Sequence, residues 1–430
     1  MRGHGAAEHR RGVRRRLHRG DGRPPAGDRL PRRARPRGDR ALRRGHPARA
    51  SRRRRAARGR ARGDPVRARL PRRPWRARAA DRQGALHLGG VRPRDGRRLR
   101  GRTALTKPVL FVTNYVAPDR VGAFQALHER VGIELVLFGG RSHHATGAVE
   151  DPGVPFRTVA ERDVGKPAAD GRAVVCGTAG RRALPAAYLA ARRAKVPFIL
   201  WSALWHEPRT PAHVAARPLL RHIHRRADAV VTYGPHVSAH ARRLGARRVF
   251  EAPQAVDNAF WSESQDLDSH AFTALFAGRA APEKGLDVLR RAWAQADLPG
   301  AQLRVAEGLT PDELRNFYAS GDVLVVPSLR TRAFREPWGL VCNEAMNQAI
   351  PIIASDETGA AAGGLVRHER NGLITRAGDP DDLARALRRL HDDPALRARL
   401  GEAGRRDVAA YTYDSYAAGF AEALLACGAA

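Results

Sequence analysis

The chain has 430 residues and a formal net charge of +35, which in a uniformly basic protein points to nucleic acid or an anionic membrane. The charge is not uniform: residues 1–106 hold 37 arginines, no lysine and 7 acids, a net of +30, and the other 324 residues carry only +5. No apolar run reaches the ~18 residues that a membrane span needs. The first stretch also lacks the apolar core of a signal peptide, so a soluble, cytoplasmic protein is expected.

Residues 1–106 are Arg, Ala, Gly and Pro with almost no aromatics. Such a segment cannot bury enough apolar surface to offset its conformational entropy, so it reads as a disordered tail. It could be a nucleic-acid-binding arm, a membrane-surface anchor or translated sequence upstream of the true start. The expectation is the last, because all four residue types use GC-rich codons and no nucleic-acid module accompanies the tail.

From residue 107 short apolar runs alternate with helical patterns, the signature of βαβ units and a parallel sheet. Strands are expected at Val109 to Thr113, Glu134 to Phe138, Ala173 to Cys176, Phe198 to Trp201, Ala229 to Tyr233 and Val249 to Ala252, with a helix such as Gly122 to Arg130 after the first. The strand at Phe198 runs into a loop that carries His206. Basic amphipathic helices at Arg181 to Lys195 and Arg217 to Arg226 present a face that reads first as solvated and, in the other reading, touches an anionic membrane. The alternation breaks near Pro253-Gln254-Ala255-Val256-Asp257-Asn258.

A second series of strands follows at Thr273 to Ala277, Leu303 to Ala306, Val323 to Val326, Ile352 to Ala354 and Gly372 to Thr375. The first leads into Gly278-Arg279-Ala280-Ala281-Pro282-Glu283-Lys284-Gly285. Lysine occurs only at positions 107, 166, 195 and 284, so Lys284 is not a product of composition. Helical spacing closes the chain, with Asp or Pro at the helix starts near Asp381 and Pro394. Asp379-Pro380-Asp381-Asp382 therefore reads as a helix start and not as a cation site. Cys176, Cys342 and Cys427 have neither metal spacing nor the look of a disulfide framework, and are expected to be reduced, mostly core residues.

The most informative segment is Glu336-Pro337-Trp338-Gly339-Leu340-Val341-Cys342-Asn343-Glu344-Ala345-Met346. Pro337 suits the first turn of a helix, which puts Glu344 about two turns in, roughly 12 Å further on. The amides of Trp338, Gly339 and Leu340 would then lie free between two carboxylates, at a helix end that attracts phosphate. A ligand with a hydroxylated ring at each end of a diphosphate fits, and a nucleotide sugar is such a ligand.

These segments resemble the retaining glycosyltransferases of family 4, whose signature sets two glutamates eight apart in an E-P-[FW]-G-L…E-A-M context and whose donor turn reads G-R-x-x-P-E-K-G. The resemblance implies the GT-B fold: an α/β protein of two doubly wound Rossmann-like domains facing across a cleft. The acceptor domain is then expected at 107–258, the donor domain at 259–410 and a helix at 411–430 that crosses back to the first. It implies that Glu336 contacts the donor sugar, that Glu344 holds the ribose, and that Arg279 and Lys284 stabilise the departing diphosphate. It places His206 in the cleft near the sugar, and Gly122 in a glycine-bearing loop near donor and acceptor. The implied reaction is hexosyl transfer, with retention, from a UDP- or GDP-linked sugar to a polysaccharide, lipid or small-molecule acceptor. Neither a bound metal nor another cofactor is implied, and peripheral contact with the inner membrane face is the expectation for a lipid-linked acceptor. Two other classes compete: a sugar-nucleotide epimerase or phosphorylase on the same fold, and a nucleic-acid-binding protein that rests wholly on the tail. One departure stands out. Between Gly285 and Val323 the family fits two strands, whereas Leu303 to Leu309 merges them, which leaves the base pocket open to question.

Overall fold

The structure is a computed structural model that describes residues 107–139, 151–180, 182–263 and 271–429. The arginine-rich segment lies outside them, and so do the readings placed on it.

The described chain forms two parallel sheets. The first contains β1 (Val109–Thr113), β2 (Ile133–Leu137), β3 (Phe156–Thr158), β4 (Ala173–Gly177), β5 (Phe198–Ser202), β6 (Ala229–Thr232) and β7 (Val249–Glu251), in the order β3-β2-β1-β4-β5-β6-β7. The second contains β8 (Thr273–Ala277), β9 (Gln302–Ala306), β10 (Val323–Val326), β11 (Ile352–Ser355) and β12 (Gly372–Thr375), in the order β12-β11-β10-β8-β9. Every pairing is parallel, so each connection is a crossover.

Helices α1 (Val121–Val131), α2 (Ala183–Ala194), α3 (Pro211–Arg226) and α4 (Pro235–Arg243) serve the first sheet, and α5 (Asn258–Ser262) follows it. Helices α6 (Leu286–Ala296), α7 (Pro311–Ala319), α8 (Val341–Asn347), α9 (Gly359–Ala362), α10 (Pro380–Asp392) and α11 (Pro394–Val408) belong to the second, and α12 (Tyr413–Ala426) ends the chain. None among the described residues is long and apolar enough to cross a membrane.

The central strands are apolar throughout because helices cover both faces of the sheet. In β1 the alternation sends Val109 and Phe111 to one core and Leu110 and Val112 to another. The first core is closed by α1 and α12, the second by α2 and Ile223 of α3. Strand β3, which the sequence reading lacks, is three residues at the edge beside β2 with Phe156 exposed, so it has no buried run to announce it. Strand β9 is likewise an exposed edge, and it is the sole strand between α6 and α7. The merger anticipated from the sequence is therefore real, and α7 begins directly after it in a Thr310/Glu313 capping box.

Helix α12 packs on the first sheet, with Tyr416, Phe420 and Leu424 fully buried and Phe420 against Phe111. Gly419 lets this happen, since a Cβ there would lie 2.0 Å from the Glu251 carbonyl oxygen. Between the lobes runs an apolar seam in which Trp205, Tyr233 and Val237 join a core that includes Trp338, Met346 and Ile352. Cys176 and Cys342 are buried, Cys427 is half-buried, and all three are free thiols.

Candidate functional site

In a doubly wound sheet the ligand crevice opens where the strand order reverses, beyond the C-terminal ends of the strands. For the second sheet that reversal lies between β8 and β10, so the loops 278–285 and 327–340 flank it. Gly285 brings them together: its φ is +70°, and a Cβ would meet the Pro327 carbonyl oxygen at 2.0 Å. Leu329 N–H then donates to the Glu283 carbonyl at 2.8 Å.

This contact sets Lys284 beside Glu336, whose Oε2 accepts a hydrogen bond from the lysine Nζ. Glu336 is 7% exposed and its carbonyl accepts from Trp205 Nε1 at 3.0 Å, a bond that crosses between the lobes. Arg279 stands apart from this pair. Its guanidinium lies on Glu283 of its own turn at 3.2 Å, with nearly half of the side chain in solvent.

The segment 336–346 departs from its expected form. Helix α8 starts at Val341, not near Pro337, and Glu344 lies in its first turn. The cause is Gly339, whose φ of +99° is incompatible with a right-handed helix. Residues 337–340 form a turn, held by Ala360 N–H on the Trp338 carbonyl at 2.7 Å. The Trp338 ring packs in the seam with His236 and Tyr411, and its Nε1 donates to Asn343 Oδ1 at 2.8 Å. What Trp338, half-buried Gly339 and half-buried Leu340 offer toward the crevice is therefore backbone.

Glu344 is buried, and its Oε2 accepts from the Tyr318 hydroxyl at 2.7 Å. Burial pushes its carboxyl up to about 7, against the Tyr318 hydrogen bond and with the charge of Asp119 adding to the rise. The same environment raises the Tyr318 phenol well above its usual range. Asp119 comes from the loop after β1, so the acid of one lobe is felt by the acid of the other.

His206 lies in the loop after β5 and is 7% exposed. Neither ring nitrogen has a hydrogen-bond partner among the described residues. Burial, with Arg330, Arg335 and His213 nearby, lowers its imidazole to about 4, which makes it neutral at physiological pH. It faces a cavity of about 380 Å³ shared by the two lobes. Gly122 sits in the first turn of α1, where a Cβ would fall 2.2 Å from the Tyr413 ring. Its missing side chain makes room for the start of α12.

Residues beyond the sequence reading complete the site. Tyr318 holds Glu344. Asn343 Nδ2 donates to the Gln254 carbonyl at 3.1 Å across the lobes, and His236 Nε2 lies 3.0 Å from the Pro337 carbonyl. Arg120 is half-buried between Trp201 and Tyr233, its guanidinium 5.4 and 5.5 Å from their ring centres. Trp205 and Arg335 adjoin His206 and Glu336 in the sequence, a proximity that could have flagged them. Tyr318 carries no such signal. Asp379 caps α10 by accepting from Asp382 N–H.

Residues 290–407 match the family model described as Glycosyl transferases group 1. A D-inositol 3-phosphate glycosyltransferase of Streptomyces avermitilis is 31% identical over 199 residues, 37% of this chain and 41% of that protein. The lipopolysaccharide core biosynthesis glycosyltransferase LpsD of Rhizobium meliloti is 31% identical over 205 residues, 41% of this chain and 57% of that one. The chain thus spans about half the length of these curated relatives. Among solved structures, Anabaena Alr3699/HepE in complex with UDP and glucose superposes with a TM-score of 0.62 at 17% identity, over 74% of this chain and 100% of that one. Sucrose-phosphate synthase from Thermosynechococcus elongatus gives 0.59 at 16% identity, over 74% and 98%. The two-lobed architecture is the GT-B fold.

Proposed function

We propose that the chain is a retaining glycosyltransferase that moves a hexosyl group from a UDP- or GDP-linked sugar to a carbohydrate or lipid-linked acceptor. The observation that carries this reading is the convergence of Lys284, Glu336 and the 337–340 turn at the strand reversal of the second sheet. A cation beside an acid that can accept from sugar hydroxyls suits a bond that breaks between sugar and phosphate.

In this reading Lys284 releases Glu336 when the donor enters and turns to the diphosphate, on which negative charge grows as the glycosidic bond breaks. Arg279 swings from Glu283 to the same phosphates, where its planar fork can donate two parallel bonds. Glu336 accepts from the sugar hydroxyls, Glu344 from the ribose, and the amides near Gly339 face the diphosphate. His206, neutral, can accept from a sugar hydroxyl at its bare ring nitrogen without repelling a cation, and Gly122 lies close to donor and acceptor. The acceptor attacks from the face the leaving group departs, and the leaving phosphate oxygen takes its proton. The chemistry assigns charge neutralisation to the two basic side chains and no resident metal. The protein would work in the cytoplasm, with α3 set against an anionic inner membrane face where the acceptor is lipid-linked. Helix α3 supports this contact, as Val214 and Leu219 lie exposed among its arginines.

The test is thermal shift of the full chain with UDP, GDP, ADP and their sugars. One nucleotide family should stabilise the protein, and Glu344→Ala should erase the effect. Lys284→Ala or Arg279→Ala should cut turnover by about 10²-fold or more, the scale of removing one transition-state charge partner. Full activity in either variant would remove the diphosphate assignment.

A further inference from the structure

A cavity at the lobe interface, lined by Trp205 and Arg335, is faced by His206. Its volume of about 380 Å³ falls within the ~300–1,000 Å³ of small-molecule sites. Its lining includes Arg221, Arg243, Arg330 and Arg335 from the two lobes.

The acids nearby do not balance these arginines. Glu207 is taken by Arg217 and Arg221, at 3.3 and 2.8 Å, and Arg335 pairs with Glu357. The Arg243 side chain has only His240 as a hydrogen-bond partner among the described residues, at 3.4 Å, and the Arg330 side chain has none among them. Both are exposed. Two more donors could turn toward the cavity: His206, whose two buried ring nitrogens are without partners among the described residues, and His240. A buried polar side chain left unsatisfied is costly, and a built site commonly explains one.

We propose that this cavity holds a phosphate group carried by the acceptor. The arginines supply the forked donors that phosphate oxygens accept best, and two of them are not committed elsewhere. The position suits an acceptor: Arg335 precedes Glu336 in the chain, and Trp205 bonds to the Glu336 carbonyl. A phosphate anchored here leaves the rest of its molecule next to the carboxylate assigned to the donor sugar. The identification of this group with the acceptor rests on the glycosyl-transfer reading; the presence of an anion site does not.

The experiment is calorimetric titration of the full chain with inorganic phosphate at fixed ionic strength, in wild type, in the double variant Arg243→Ala/Arg330→Ala and in Lys284→Ala. Phosphate taken up by the arginine-rich segment is common to all three and cancels in the comparison. The double variant should lose at least about tenfold in affinity while Lys284→Ala keeps it. Glucose 6-phosphate should displace the bound ion, and glucose should not. An equal affinity in all three proteins, or a loss confined to Lys284→Ala, overturns the cavity site. Displacement by neither sugar overturns the acceptor assignment and leaves free phosphate as the ligand. UDP should still shift the melting of the double variant, which checks that it is folded. Absence of any nucleotide shift in wild type would instead defeat the donor reading, while the phosphate comparison still decides the cavity.

Discussion

Glu344 carries the clearest electrostatic prediction. Its carboxyl is raised in the folded protein from the ordinary 4.5 to about 7, so folding penalises the charged form. The penalty is absent below pH 4.5, grows as pH rises and is complete above about 7, the reverse of a salt-bridged acid. Its scale is on the order of 3 kcal/mol. In Glu344→Gln the amide oxygen can still accept from Tyr318, so the variant should match wild type near pH 4 and exceed it increasingly up to pH 8. Urea titrations across that range check it, and a difference that stays flat with pH would refute the burial argument. His206 and His240, both lowered to about 4, act in the opposite sense. They favour the fold above the ordinary histidine range and weaken it as pH falls toward 4.

At the scale of elements, close approach of backbones sets the tolerances. A methyl at Gly419 would strike the Glu251 carbonyl, which cannot rotate away, so Gly419→Ala should cost about 1–3 kcal/mol by forcing α12 off β7. Leu425→Ala on the same helix, at a side chain 69% exposed, should stay within about 0.5 kcal/mol. Denaturation of both variants gives the comparison. The same distinction explains what the sequence could disclose. Strands β8, β10 and β12 were legible to the residue because buried parallel strands must be continuously apolar. The edge strand β3 was not, because it is only three residues long with none buried, whereas the longer exposed edge β9 was read one residue short. Lys284 and Glu336 could be singled out from their contexts, but their direct pairing depends on a backbone contact at Gly285 that no local pattern encodes. The late start of α8 was missed because Pro337 is equally at home in a turn, and Gly339 decides the matter through its conformation.

For the whole molecule, α12 is part of the first lobe although it is last in the chain. Tyr416, Phe420 and Leu424, at roughly 1.5–3 kcal/mol each when buried, together rival the ~5–15 kcal/mol that holds a typical protein folded. Ending the chain after Val408 should therefore give a protein that binds a hydrophobic dye and aggregates, and a soluble, dye-negative product would disprove this dependence. Beside the apolar seam and the Asn343 bond, three polar contacts between the lobes are of one kind. Arg209 N–H meets the Arg332 carbonyl at 2.7 Å, Trp205 meets the Glu336 carbonyl, and His236 meets the Pro337 carbonyl. Each ends on main-chain atoms of the stretch 332–337, which every amino acid but proline supplies in full and proline supplies at its oxygen. These three bonds are thus indifferent to which side chains that stretch displays, although Arg335 also lays its guanidinium over the Trp205 ring. Arg330, Arg332 and Ala333 can be exchanged to suit a different partner molecule while the two halves keep their grip on each other, so selectivity here can drift without the scaffold having to be rebuilt.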